Sequence, residues 1–205
     1  MLTLHYAPGT ISIVAALALE EAGLDWTATR LNFGDAEQTK PPYLALNPKG
    51  RVPLLETPAG LLTETGAILD WIADTTPGAG VRPTDTYQAG LMREAMYYFA
   101  STFHVNHAHK MRGIRWANET SSYDDMRAKV PETMAACCAY LENQYPLAPF
   151  LLGDSVTLAD PYLWQICTWL EGDGVDIAAY PKLAAHHAAY SARPAVAALR
   201  EKGVI

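Results

Sequence analysis

Three hydroxyls, Tyr6, Thr10 and Ser12, flank the stretch Tyr6-Ala7-Pro8-Gly9-Thr10-Ile11-Ser12, where an apolar strand candidate over 2–6 breaks at Pro8-Gly9 and a helical run opens near Ser12. A hydroxyl at a helix start can donate to a negatively charged atom where the helix's positive end already favours one. Glu64-Thr65 stands at the start of a second helical run, so unsatisfied N–H groups there attract a carboxylate. A third group, His104, His107 and His109, is followed by Arg112, Arg115 and Trp116 and offers imidazoles for proton transfer or metal ligation.

The metal reading is the weaker one for the histidines. His104 and His107 stand three apart and share a helix face, but His109 falls off it and no carboxylate is interleaved. Their bland reading is helix packing. Cys137, Cys138 and Cys167 are odd in number and form no Cys-x-x-Cys, so they read as core thiols. The net charge of −7 is diffuse and no basic cluster exceeds two neighbours, which argues against nucleic acid as a partner. No apolar run reaches the ~18 residues of a membrane span. The first residues lack a basic stretch followed by an apolar core, so the expected compartment is the cytoplasm.

The elements that must position these groups follow from period and punctuation. Residues 2–31 read as strand, helix, strand, with Ser12 as a good N-cap and Gly23 closing the helix. A loop with a short helix near 43–46 leads to the turn Asn47-Pro48-Lys49-Gly50, where Pro48 presets φ and Gly50 tolerates its positive range. Strands at 52–56 and 61–63 are joined by Pro58-Ala59-Gly60, and a helix runs over 65–74. Pro53 cannot donate to a sheet ladder, so the main chain beside it must face something other than a strand. A ligand's peptide backbone fits that place.

Composition shifts at 76–83, which bounds a domain over 1–76, a linker at 77–86 and an all-helical domain over 87–205. Long helical runs over 87–118 and 122–145 are expected to pack antiparallel, with Pro131 kinking or restarting the second. Two shorter helices at 181–192 and 194–203 each open on proline. Thr157-Leu158-Ala159-Asp160 is a capping-box variant, which makes Asp160 structural, while Pro161 fits a helix start awkwardly.

Asn47-Pro48-Lys49-Gly50-Arg51-Val52-Pro53 and Glu64-Thr65-Gly66-Ala67-Ile68 together resemble the glutathione-binding half of the cytosolic glutathione transferases, whose pattern is N-P-x-G-x-V-P, a hairpin, then E-[ST]-x-A-I. Residues 157–160 resemble that family's T-[VIL]-A-D folding motif. The resemblance spans essentially the whole chain. It implies an α/β thioredoxin-like N-terminal domain followed by an all-α domain, with a cis bond before Pro53. It also implies that the Val52 main chain pairs with the cysteinyl part of glutathione and that Glu64 and Thr65 hold its γ-glutamyl end. Arg51 and Pro53 belong to the same binding loop by this likeness, and His104 matches a histidine that borders the active-site cleft.

The stretch 6–12 resembles the bacterial beta-class pattern Y-x-P-G-x-C-S, with Ile11 where the cysteine belongs. An isoleucine forms no mixed disulfide, so a hydroxyl must stabilise the glutathione thiolate: Thr10 or Ser12 first, Tyr6 next. Ser12 as a mere helix cap and Tyr6 as a core phenol are the alternatives. Lowering a thiol near pKa 8.5 by about two units takes roughly 2.7 kcal/mol, and a hydrogen bond to a charged atom supplies about 1.5–3 kcal/mol. The expected function is conjugation of glutathione, as co-substrate and with no other cofactor, to a small apolar electrophile by a homodimer. A catalytically silent glutathione-binding or protein-interaction module, and a glutathione-dependent reductase or peroxidase, are the competing readings.

Overall fold

Alternation places Leu2, Leu4 and Tyr6 of the first strand in the core, and a helix whose residues 13–19 are all apolar packs on the sheet they belong to. In the computed structural model, which describes residues 1–205, the chain divides into two units: residues 1–84 with 192–205, and residues 85–191. The first unit runs β1 (Leu2–Tyr6), α1 (Ser12–Glu21), β2 (Trp26–Arg30), α2 (Pro41–Leu44), β3 (Leu54–Thr57), β4 (Gly60–Thr63) and α3 (Thr65–Thr75). The sheet order is β2-β1-β3-β4, with β1 parallel to β2 and the β1–β3 and β3–β4 pairs antiparallel. This is the expected thioredoxin-like domain, built as strand-helix-strand then hairpin-helix.

Residues Ser12 to Leu19 of α1 are buried all round, so its partners lie on more than one side: α3 on one and α9 (Pro194–Glu201) on another. By contact, residues 192–205 group with the first unit, whereas the sequence placed them in the stretch 87–205. Ala195, Val196 and Leu199 supply the apolar face of α9. Arg193 adds a two-pronged ion pair to the nearly buried Glu21 carboxylate at 2.5 and 2.6 Å, and Lys202 pairs with Glu20. The division between units falls after Thr84, just past the stretch where composition shifts.

The second unit is all helical. The run expected over 87–118 is α4 (Thr86–Tyr98), a π-helical turn at Phe99–Phe103, and α5 (His104–Ala108), followed by a short 3-10 turn at Gly113–Arg115. In that turn Gly113 lies against Tyr123, where a Cβ would meet the ring at 2.8 Å. Helix α6 (Thr120–Gln144) passes through Pro131 without restarting. In α7 (Ala159–Cys167) Pro161 is the third residue, where the lost N–H has no intrahelical partner in any case, so the proline is compatible with the helix start. Helix α8 (Pro181–Ser191) completes the unit.

Asp160 ties this unit together. Its fully buried carboxylate accepts from the Leu151 N–H at 2.7 Å, the Thr157 N–H at 2.6 Å and the Thr157 hydroxyl at 2.9 Å, and meets His186 Nε2 at 2.9 Å. Asp160→Ala would strand all four groups in the core. The expected loss is about 3–5 kcal/mol, read from the midpoint of urea unfolding.

Beside it, His187 stacks on Trp164 with ring centroids 5.8 Å apart, and burial, followed by the neighbouring His186, pushes its pKa below the ordinary 6.5. A histidine with a lowered folded pKa binds its proton more readily in the unfolded chain, so its contribution to stability falls as pH drops through 6.5. His187→Gln is expected to flatten the pH dependence of unfolding free energy between about pH 5 and 7. An unchanged slope would contradict the half-buried, neutral imidazole.

Candidate functional site

The turn from β1 into α1 is organised by the Ala7 peptide. Its N–H donates to Ser12 Oγ at 3.0 Å, and its carbonyl accepts from the Ser12 hydroxyl at 3.2 Å, the Thr10 hydroxyl at 2.8 Å and the Thr10 N–H at 3.3 Å. Gly9 turns the chain with φ +69°. Ser12 is therefore not the N-cap the sequence suggested: Ile11 takes that position, and Ser12 is wholly buried with its oxygen occupied on both sides. Tyr6 and Ile11 are buried too, whereas Thr10 keeps part of its surface. The two candidate oxygens, Thr10 Oγ1 and Ser12 Oγ, stand 2.7 Å apart. If Thr10 swung its single proton toward a bound anion, the Ala7 carbonyl would keep two other donors.

The loop before β3 is gripped at one atom. The Arg51 carbonyl accepts from the Tyr43 hydroxyl and from Asn47 Nδ2, each at 2.6 Å, and both side chains are nearly fully buried. Burial raises the Tyr43 pKa, against the opposing effect of the Asn47 hydrogen bond, so the phenol stays a donor. Asn47 also accepts from the Lys49 N–H at 3.2 Å, and Gly50, at φ +61°, lies where a Cβ would stand 3.1 Å from the Gln38 carbonyl. Beyond this anchor the Val52–Pro53 bond is cis. No hydrogen bond within the protein uses the main-chain N–H or C=O of Val52. Buried main-chain groups are nearly always paired, so this peptide presents one donor and one acceptor to a ligand.

Opposite the hairpin, Glu64 enters α3 with φ +71° and ψ 121°, a conformation that costs a non-glycine residue about 1–3 kcal/mol. Its carbonyl accepts the Ile68 N–H at 3.0 Å, but no side chain caps the helix, leaving the first-turn N–H groups beside buried Thr65 open to an anion. The Glu64 carboxylate is exposed and pairs with Lys49, whose ammonium also reaches the Thr63 hydroxyl at 2.6 Å. Arg51 is exposed and contributes its carbonyl rather than its side chain to this arrangement. The structure thus brings Tyr6, Thr10, Ser12, Arg51, Val52, Pro53, Glu64 and Thr65 into one unit. Tyr43 and Lys49 were missed as supports; only their places around the N-P-x-G turn hinted at them.

His104 belongs to the other unit. Its ring lies 5.3 Å from Trp169, against which His107 stacks at 4.1 Å. His107 Nδ1 meets the buried Asp173 carboxylate at 2.6 Å, and Lys110 reaches the same carboxylate at 3.2 Å. His109 turns away to the edge of Trp116. Trp169 and Asp173, more than 60 residues further on, carried no local signal in the sequence. No group of three or more His, Cys, Asp or Glu side chains is placed to hold a metal ion. Burial raises the pKa of all three thiols, that of Cys138 to about 12, so each stays protonated.

Family models for the glutathione S-transferase N-terminal domain and C-terminal domain match residues 1–74 and 107–203. A crystal structure of a glutathione transferase homologue from Sulfitobacter with bound glutathione superimposes with a TM-score of 0.98, at 55% identity over 100% of this chain and 99% of that one. A sphingomonad glutathione S-transferase complexed with glutathione follows at 31% identity and a TM-score of 0.83, covering 99% and 100% of the two chains. A glutathione S-transferase of Xanthomonas campestris pv. campestris is 31% identical over 180 residues, 85% of each chain. With both domain models matched and the fold shared along its whole length, the chain belongs to the glutathione S-transferase family.

Proposed function

We propose that this protein binds glutathione on its first unit and conjugates the thiolate to a small, apolar electrophile. The observation that carries the reading is the unpaired Val52 main chain beside Pro53, together with an uncapped α3 N-terminus entered through Glu64. Val52 pairs with the cysteinyl backbone. The γ-glutamyl carboxylate takes the N–H groups of the first α3 turn beside Thr65, and its ammonium takes the Glu64 carboxylate. Thr10 donates to the sulfur, because among the three hydroxyls it alone keeps exposed surface and its acceptor can spare it. Ser12 holds the turn in shape. Holding thiolate and electrophile together supplies the orientation part of catalysis.

A disulfide-exchanging enzyme is less well supported. Ile11 removes the thiol from the turn, and the three cysteines are buried, protonated and confined to the second unit. Catalytic silence is the reading against which activity must be measured.

Glu64→Ala is expected to raise the KM for glutathione about 10- to 100-fold, the worth of a charged hydrogen bond, with a much smaller change in kcat. An unchanged KM would remove Glu64 from the site. For the thiolate, Thr10→Ala is expected to lower kcat/KM at pH 7 by about tenfold or more. The sign is set by the thiol: activity is present above the bound thiol's pKa and lost as pH falls through it, so Thr10→Ala moves that loss to higher pH. Ser12→Ala is expected instead to cost about 1–3 kcal/mol of stability by stranding the buried Ala7 N–H. Thiolate absorbance against pH and urea unfolding separate the two.

A further inference from the structure

The second unit carries an open cavity of about 660 Å3 at the end of α7, lined by Cys167, Leu170, Val175 and Ile177, by the acidic Glu171 and Asp176, and by His187 of α8. That volume lies within the ~300–1,000 Å3 range of small-molecule sites. None of its lining residues is among those assigned to glutathione, and all belong to residues 85–191.

Charge decides what the cavity suits. The Glu171 carboxylate makes no hydrogen bond or ion pair within the protein. Asp176 Oδ1 accepts the Ala178 N–H at 2.9 Å, which fixes its direction and leaves its charge uncompensated. No lysine or arginine lines the cavity. Lys110, which meets the same loop, is held by the Gly172 carbonyl and the Asp173 carboxylate. His187 adds no positive charge at neutral pH, since burial and His186 hold its pKa down and its ring is stacked flat on Trp164. The lining therefore combines two carboxylates with the apolar side chains of Leu170 and Val175, both nearly buried, and Ile177.

We propose that this cavity is a second ligand site that takes a small organic cation with an aromatic or branched apolar body. The ammonium meets Glu171 and Asp176 while the body covers Leu170, Val175 and Ile177. An anion of the same shape meets two carboxylates and no counter-charge, so it is rejected.

Phenethylammonium and its near-isosteric anion, 3-phenylpropionate, test this by calorimetry and by amide chemical shifts on the whole protein. Phenethylammonium is expected to bind and to shift the amides of residues 168–177, with saturating glutathione present or absent, and more weakly as salt rises. Glu171→Gln is expected to weaken it about three- to fivefold, as suits one exposed charge, and the double variant Glu171→Gln/Asp176→Asn about tenfold or more. Val175→Trp, which fills the cavity, is expected to abolish binding; both exposed-site variants keep the test open if it fails to fold. Equal binding of 3-phenylpropionate, displacement of the amine by glutathione, or indifference to the charge-removing variants would each overturn the proposal.

Discussion

The Arg51 carbonyl, held at 2.6 Å by both Tyr43 and Asn47, is the constraint on which the glutathione loop depends. One carbonyl with two buried donors pins the chain where it turns from 47–50 into β3, and both donors would be costly to leave unmade. With that atom fixed, Pro53 follows on a cis bond and the Val52 peptide is left facing away from any strand. The sheet supplies the rest. Antiparallel pairing of β3 with β1 and β4 sets the heights of the loop, of the Ala7 turn at the end of β1, and of Glu64 just past β4. Local polar bonds thus aim three segments that the sheet register has already brought together.

Division of labour between two neighbouring hydroxyls follows from burial. Thr10 and Ser12 differ little in chemistry and their oxygens are 2.7 Å apart. Ser12, fully buried, serves the Ala7 N–H and carbonyl at once, and releasing either bond would strand a core peptide group. Thr10 shares its carbonyl acceptor with other donors and faces partly outward. The serine therefore pre-forms the turn while the threonine is free to respond to a ligand. Ile11 in this turn is compatible with the plan, since its side chain is buried.

Much of the fold was legible because it is local. The turn residues 47–50, the proline before β3 and the apolar run of β1 each encode their own geometry, and the Asp160 network is announced by Thr157 three residues earlier. What escaped depends on distance. Ser12 looked like a helix cap because Ser at a helix start usually is one, but here the Ala7 peptide five residues back claims its oxygen. The long run expected over 87–118 is interrupted at Phe99–Phe103 and after Ala108, and the ion pair of Arg193 with Glu21, far away in sequence, joins the stretch before α9 to α1. His107 found its carboxylate at Asp173 by tertiary packing alone. Pairings across such separations leave no spacing to read.

The most direct measurement is amide hydrogen exchange at Val52 in the intact protein, with and without saturating glutathione. The Val52 N–H has no partner within the protein, so it is expected to exchange quickly when free and to slow by more than tenfold, beyond the change at neighbouring loop amides, when glutathione is bound. Glutathione that binds while the Val52 amide exchanges at its free rate would contradict the assignment of this loop as the peptide-binding edge.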